Sequence, residues 1–132
     1  MTRAARRAER REILASYPDP SPFRRLYRRL RLRRGGYDAI EGLVPRVGTV
    51  LDLGCGEGLL SQVLARRAPT RRVVAVDHDP RRVERVRRAS KGLSIEAVDG
   101  SMTTVALPPA DAILLVDVLH YFDRATQERL LE

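Results

Sequence analysis

The chain has 132 residues, of which 43% are hydrophobic and 32% are charged, so it has enough material for one soluble domain with a buried core. It contains neither a long apolar run nor a secretory signal at its start, which argues against a membrane-spanning helix and against export. Its one cysteine, Cys55, has no partner for an internal disulfide, which favours a cytoplasmic location.

The net charge of +8 is concentrated at the N-terminus, where residues 1–34 contain 12 Arg and 3 acidic residues. The rest of the chain is nearly neutral. Lysine occurs once, at Lys91, and this exclusion of lysine indicates codon bias rather than selection for phosphate contacts. We therefore predict a basic N-terminal arm attached to a nearly neutral domain.

The arm is predicted to form two helices, at residues 3–15 and 22–34, separated by a cluster of prolines. On the second helix an apolar stripe recurs at the helical spacing i, i+3, i+4, i+7, and consists of Phe23, Leu26, Tyr27 and Leu30. We expect this stripe to pack onto the domain as a lid, with arginines facing solvent. The same basic helix, 22–34, leaves association with a membrane surface open. We place the domain boundary after Gly36, giving a basic helical arm at 1–36 and a ligand-binding domain at 37–132.

From residue 37 onward, predicted helices and strands alternate. The helices are 37–43, 59–67, 80–89 and 124–131, and the strands are 49–53, 72–76, 93–98 and 112–116. This order is typical of an α/β protein with a parallel sheet and right-handed crossovers. The composition of the fourth strand, AILLV, predicts that it is fully buried.

Three glycines stand between the first of these strands and the following helix, in the sequence VLDLGCGEG at 50–58. Glycine permits a tight turn there and lets a ligand approach the backbone, and the helix N-terminus offers N–H groups. The spacing fails the dinucleotide pattern G-x-G-x-x-G, because Leu59 occupies the place of the last glycine. The carboxylates of Asp52 and Glu57 beside the loop would repel a diphosphate but suit an ammonium or sulfonium group.

The spacing D-x-G-x-G-x-G resembles the first motif of the class I (Rossmann-like) S-adenosylmethionine-dependent methyltransferases, and the resemblance covers about 48–132. It implies a Rossmann-like three-layer sandwich with strand order 3-2-1-4 and S-adenosylmethionine as cofactor. It assigns Asp52, Gly54, Cys55, Gly56 and Gly58 to cofactor binding.

The family sheet usually has seven strands, whereas about four are predicted here. We therefore expect the N-terminal, cofactor-binding half of the family fold, truncated relative to the whole. The fourth strand would then expose an apolar edge that needs a partner, for example a second copy of the chain in a homodimer.

The second strand ends at Asp77, 21 residues after Gly56, where a carboxylate can accept hydrogen bonds from the hydroxyls of a ribose. The alternative is that Asp77 caps the following helix. In the family, the residue after this acid lies near the adenine, which implies that role for His78.

The segment 96–102 resembles the family's adenine-binding segment. The resemblance implies that Asp99 accepts a hydrogen bond from the exocyclic amino group, that the backbone near Gly100 or Ser101 donates to the ring, and that Met102 covers the ring. An ordinary turn at Asp99-Gly100 and a gap-filling methionine are the alternatives.

The segment after the fourth strand resembles the family's fourth motif and brings in Asp117 and His120. Asp117 is predicted at the carboxyl end of its strand, where it orients a substrate or binds the cofactor. His120 is the candidate catalytic base, and the alternative is a histidine that packs beside Tyr121 and Phe122. No group of residues has metal-ligand spacing, so we expect no metal.

The sequence thus predicts a methyltransferase that acts on a small-molecule acceptor. One alternative is a cofactor-binding module without catalysis, since the strands that usually complete the acceptor site are missing. Another is an RNA methyltransferase that uses the basic arm to contact phosphates. The fourth motif lacks the Asn-Pro-Pro-Tyr pattern of amino-group nucleic-acid methyltransferases, which disfavours a nucleic-acid acceptor.

Overall fold

The structure, a computed structural model, describes the backbone of all 132 residues and the side chains of all of them except Leu119. The helices are α1 (Arg3–Ser16), α2 (Pro22–Arg34), α3 (Tyr37–Leu43), α4 (Leu59–Arg67), α5 (Pro80–Ala89) and α6 (Arg124–Leu131), with a short 3-10 helix at Leu119–Tyr121. The strands are β1 (Gly48–Leu53), β2 (Arg71–Asp77), β3 (Ile95–Asp99) and β4 (Ala112–Leu114). No helix in the described chain is both long and apolar enough to cross a membrane.

Local sequence signals explain where the helices begin. The Asp79 carboxylate accepts a hydrogen bond from the N–H of Arg81, and Pro80 stands in the first turn of α5, where its missing N–H costs little. Ser21 and Pro22 begin α2 in the same way. The predicted helix bounds agree with the observed ones to within one residue.

The four strands form one parallel sheet in the order β3-β2-β1-β4, which confirms the predicted α/β, Rossmann-like fold. Leu53 lies opposite Val76, and Asp77 lies opposite Asp99. The carboxyl ends of β1, β2 and β3 therefore meet along one edge of the sheet, and the loops that follow them surround the same space.

The two faces of the sheet are covered differently. On one face, Val50 and Val73 pack with buried leucines of α4, and with side chains of α1, α2 and α3. On the other face the buried strand residues Leu51, Leu53, Val74 and Val76 are covered largely by the segment between β3 and β4, through Met102, Val105 and Leu107.

The N-terminal arm packs onto the first of these faces. Ile13 of α1 is completely buried in the same hydrophobic cluster as Val50. The Glu9 carboxylate accepts two hydrogen bonds, each 2.9 Å long, from the Arg67 guanidinium at the end of α4. The division of the chain into an arm at 1–36 and a binding domain at 37–132 stays a prediction.

Helix α2 faces the domain with a different side from the one we predicted. The stripe of Phe23, Leu26, Tyr27 and Leu30 is exposed, whereas Arg28 and Leu32 are buried. The prediction was wrong because it assumed that every arginine stays in water. Arg28 instead meets two carboxylates and an aromatic ring, which compensate its burial.

The fourth strand is shorter and more exposed than its composition predicted. It ends at Leu114 rather than at residue 116, and the side chain of Ile113 is 58% exposed. Ile113 pairs with Leu51 and so lies on the face covered by the segment between β3 and β4. That covering does not extend to the edge of the sheet, so the expectation of full burial was wrong.

Candidate active site

The glycine loop between β1 and α4 needs its three glycines for two different reasons. Gly54, Gly56 and Gly58 all have left-handed backbone angles, with φ of 72°, 57° and 74°. A Cβ atom on Gly54 would lie 2.5 Å from Val118, and one on Gly58 would lie 2.9 Å from Val86. A Cβ atom on Gly56 would meet nothing within 4 Å. Gly56 is therefore the position that leaves backbone open to a ligand.

Four backbone N–H groups of the loop donate hydrogen bonds within the protein. Those of Gly54 and Cys55 donate to the carbonyl of Val76, at 2.7 and 2.9 Å. The N–H of Gly56 donates to the Asp77 carboxylate at 2.9 Å, and that of Gly58 donates to the carbonyl of Cys55. These four groups are thus unavailable to an anion, in contrast to a loop that binds diphosphate.

Asp52 is a buried carboxylate beneath the loop. The Ser61 hydroxyl donates to it at a distance of 2.6 Å. Burial raises the pKa of Asp52 to about 6, the hydrogen bond from Ser61 opposes this rise, and the negative charge of Asp77 adds to it. Asp52 therefore changes its charge close to neutral pH, within reach of the cavity above the loop.

Asp77 connects the loop to the end of β2. One of its carboxylate oxygens accepts from the N–H of Gly56 and the other accepts from the N–H of Asp79, both at 2.9 Å. Each oxygen keeps a second lone pair, and Asp77 also lines the cavity. The helix cap that the sequence left as the alternative role of Asp77 is supplied by Asp79 instead, whereas Asp77 holds the turn before the helix.

A cavity of about 1120 Å³ lies at the carboxyl ends of the strands. The predicted site residues that line it are Asp52, Gly54, Cys55, Gly56, Asp77, His78, Gly100, Ser101, Met102, Asp117 and His120. Gly58 and Asp99 are not among the lining residues: Gly58 packs against Val86, and Asp99 is exposed at the end of β3. Cys55 carries a neutral thiol, because burial raises its pKa.

Glu57 does not present a free negative charge to the cavity, contrary to the prediction. Its carboxylate accepts hydrogen bonds from Arg28, at 2.8 and 3.0 Å, and from Arg85 at 2.8 Å. Although burial opposes ionisation, these guanidinium groups outweigh it and lower the pKa of Glu57. Asp52 faces the cavity without a guanidinium partner, and Asp77 has only a long contact of 3.9 Å with Arg82.

Arg28 ties the glycine loop to the arm. Its guanidinium lies 4.2 Å from the centre of the Tyr17 ring and also donates to Asp19 at 3.1 Å. The Tyr17 hydroxyl donates to the backbone carbonyl of Glu57. The loop is thus held from α2, from the segment before α2, and from α5.

The far side of the cavity is formed by α2 and by the segment after β4. Arg31 donates to the Asp117 carboxylate at 3.3 Å, across the mouth of the cavity, and lies 6.0 Å from the centre of the Tyr37 ring. Asp117 has a left-handed φ of 55°. The His120 ring lies 4.1 Å from the Tyr121 ring.

Sequence reasoning did not place α2 in the site. Phe23, Tyr27 and Arg31 line the cavity, together with Tyr121 and Phe122. The apolar stripe on α2 was visible in the sequence, but its spacing does not reveal which side of the helix faces the sheet. Tyr121 and Phe122 were noted only as packing partners of His120.

Comparison with known proteins places this cavity in context. The family model described as "Methyltransferase domain" matches residues 50–132. The Mycobacterium bovis protein named "Uncharacterized methyltransferase Mb0092" is 37% identical over 91 residues, which cover 66% of this chain and 45% of that protein. The ubiquinone biosynthesis O-methyltransferase of Methylocella silvestris is 41% identical over 81 residues, covering 54% of this chain and 29% of the enzyme.

A solved structure is also similar to the chain. Coclaurine N-methyltransferase, bound to N-methylheliamine and S-adenosylhomocysteine (SAH), superposes with a TM-score of 0.53 and 27% identity. The match covers 60% of this chain and 26% of that one. The chain thus spans less than half the length of these proteins.

Proposed function

Because the chain belongs to the class I S-adenosylmethionine-dependent methyltransferases, we propose that it binds S-adenosylmethionine in the cavity above the glycine loop and takes part in methyl transfer to a small-molecule acceptor. The observation that carries the proposal is the loop itself. It leaves open backbone at Gly56 beside the carboxylates of Asp52 and Asp77, while four of its N–H groups are already occupied.

These residues fit a cationic nucleoside better than a diphosphate. Two carboxylates that line the cavity attract an ammonium or sulfonium group and repel phosphate. The free lone pairs of Asp77 can accept hydrogen bonds from ribose hydroxyls, and Asp52 supplies a negative charge below the loop. His78, Gly100, Ser101 and Met102 line the cavity and are proposed to surround the adenine. Asp99, which does not line it, is the least supported of the adenine contacts.

When bound, S-adenosylmethionine supplies a sulfonium-held methyl group for transfer to a nucleophilic atom of the acceptor, with the electron pair of the broken S–C bond remaining on sulfur. The chain's own contribution is to hold the acceptor in line, and positioning accounts for much of the acceleration in such reactions. An acceptor hydroxyl must also lose a proton. We propose His120 as the group that accepts it, and Asp117 as a residue that orients the acceptor, because both line the far side of the cavity.

A small-molecule acceptor is supported by two matched enzymes, whose names refer to ubiquinone biosynthesis and coclaurine. A cytoplasmic location is part of the same proposal, since the single cysteine cannot form a disulfide within the chain.

Calorimetric titration of the chain with S-adenosylmethionine, SAH and NAD tests the cofactor assignment. We expect the first two to bind and NAD to give no binding. Equal binding of NAD, or no binding of either adenosyl compound, would overturn the proposal. Incubation with methyl-labelled donor and candidate acceptors then separates an enzyme from a module that binds the donor without transferring the methyl group.

A further inference from the structure

The aromatic residues of this chain are concentrated in the cavity. The chain contains 4 Tyr, 2 Phe and no Trp. Five of these six side chains line the cavity, namely Phe23, Tyr27, Tyr37, Tyr121 and Phe122. The sixth, Tyr17, is covered by the Arg28 guanidinium. The aromatic side chains thus either line the cavity or, in the case of Tyr17, contact the glycine loop that borders it.

Four of the five come from the two segments opposite the glycine loop. Phe23 and Tyr27 lie one helical turn apart on α2, and Tyr121 and Phe122 follow β4. Phe23 is 80% exposed and Tyr121 is 77% exposed, so their rings are available to a ligand rather than committed to the core. Ring faces of this kind bind other planar rings in offset or edge-to-face arrangements. A cavity of about 1120 Å³ leaves room for such a ring beside the donor.

The arginines that line the cavity differ in how firmly their guanidinium groups are held. Arg24 on α2 is bound by Asp19. On α5, Arg85 is bound by Glu57, and Arg82 lies 3.9 Å from carboxylate oxygens of Asp77 and Asp79, on the side of the glycine loop. Arg31, in contrast, has a solvent-accessible hydrogen bond of 3.3 Å to Asp117, whose side chain is 69% exposed. Exposed ion pairs contribute little, so a ligand carboxylate can replace Asp117 on Arg31.

We propose that the aromatic side of the cavity binds a planar aromatic carboxylic acid, with its ring among Phe23, Tyr27 and Tyr121 and its carboxylate on Arg31. This inference rests on the proposed function, because it identifies the acceptor class of the same site. When no acceptor is bound, the Asp117 carboxylate accepts the hydrogen bond from Arg31.

Three matched probes test the proposal with SAH-saturated protein. They are 4-hydroxybenzoate, its neutral analogue 4-hydroxybenzamide, and the non-aromatic acid trans-4-hydroxycyclohexanecarboxylate. Calorimetry should show that 4-hydroxybenzoate binds at least tenfold more tightly than either analogue. Equal affinities for the three probes, or tighter binding of the cyclohexane acid, would overturn the inference.

Two variants assign the selectivity to the named residues. Arg31→Gln should reduce the affinity for 4-hydroxybenzoate to that of the amide and leave the amide unchanged, whereas the exposed control Arg29→Gln on the same helix should change neither. Phe23→Leu should weaken the two aromatic probes severalfold, whereas Leu26→Ala, exposed but outside the cavity wall, should not. If Arg31→Gln retains the preference for the acid, the inference is wrong.

The outcome is distinguishable from failure of the proposed function. Absence of SAH binding contradicts the methyltransferase proposal itself. Binding of SAH without discrimination among the three probes contradicts only the acceptor class.

Discussion

At the scale of single residues, Asp52 combines burial with a role that requires charge. Its carboxylate is 3% exposed, and burial raises its pKa from 3.8 to about 6. Ionised Asp52 suits a cationic ligand but is poorly solvated in the folded protein. The two consequences are separable, because one concerns binding and the other concerns folding.

The affinity for S-adenosylmethionine should fall as Asp52 becomes protonated. If binding requires the carboxylate, the dissociation constant at pH 5 should be about ten times that at pH 8, since each pH unit below the pKa reduces the ionised fraction about tenfold. Calorimetric titrations at the two pH values measure this ratio. Asp52→Asn should bind weakly at both, and a ratio near one in the unaltered chain would argue against a role for Asp52.

The stability of the fold should respond in the opposite sense. Because the folded protein binds the Asp52 proton more tightly than the unfolded chain does, this residue stabilises the fold below pH 4, and the contribution is lost as the pH rises through about 6. Asp52→Asn should therefore raise the free energy of unfolding at pH 8 by about 2 kcal/mol relative to its effect at pH 4. Urea denaturation at both pH values tests this, and an equal effect at the two would refute it.

Gly56 offers a test of the open backbone position. Gly56→Ala should cost about 1 kcal/mol of stability, because its φ of 57° is unfavourable for alanine, and its new methyl group should also weaken donor binding by tenfold or more. Gly36→Ala is the matched control, since Gly36 has a φ of 67°, open surroundings and a place outside the cavity. Comparable donor affinities in the two variants would show that the space above Gly56 is not used.

At the scale of elements, the position of each helix along the chain was predictable, but the orientation of α2 was not. Prolines, caps and apolar runs are local signals, and they predicted the helix bounds correctly. The strand order was implied by the family resemblance, and the structure confirms it. The partners of Arg28 lie 9 and 29 residues away, at Asp19 and Glu57. An apolar stripe contains no information about such partners, so the rule that arginines face water gave the wrong side.

The prediction of the candidate site was limited in the same way, because local sequence signals do not reveal tertiary contacts. The sequence motifs indicated acids near the carboxyl ends of strands, and Asp52 and Asp77 lie there, at the ends of β1 and β2. The aromatic side depends on how α2 crosses the mouth of the cavity, which is a tertiary contact.

The buried arginine should matter for stability. Arg28→Met removes a charge that faces Asp19 and Glu57, and each carboxylate keeps another arginine, so we expect a loss of about 3 kcal/mol, at the low end for a broken buried ion pair. Arg29→Met, one residue further along and exposed, should change stability little. The free energies of unfolding of the two variants, measured in urea, provide the comparison. Similar values would mean that the Arg28 network is not stabilising.

At the scale of the whole molecule, the arm, β1 and α4 share one hydrophobic cluster. Ile13, Tyr17 and Leu32 are buried together with Val50 and Leu64. The predicted boundary after Gly36 therefore crosses a packed interface rather than a flexible linker. We therefore expect the arm to fold together with the sheet, although the net positive charge of the chain belongs to the arm.

Cooperativity provides the test. Ile13→Ala should lower the free energy of unfolding of the whole chain by 2–5 kcal/mol, the usual range for a buried isoleucine. Circular dichroism and tyrosine fluorescence should give coincident transitions. Leu43→Ala, at a position that is 88% exposed, is the control. Separate transitions for the two probes would show instead that the arm unfolds independently of the sheet.

The contacts of Glu57 have a consequence for how relatives are compared. Tyr17 and Asp19 lie outside the cavity wall, yet they hold the loop that borders it, directly or through Arg28. Substitutions at Tyr17 or Asp19 can alter how rigidly the glycine loop is held, although the residues that line the cavity stay the same. Two proteins with identical glycine motifs can therefore differ in their affinity for S-adenosylmethionine, because residues outside the motif position the loop.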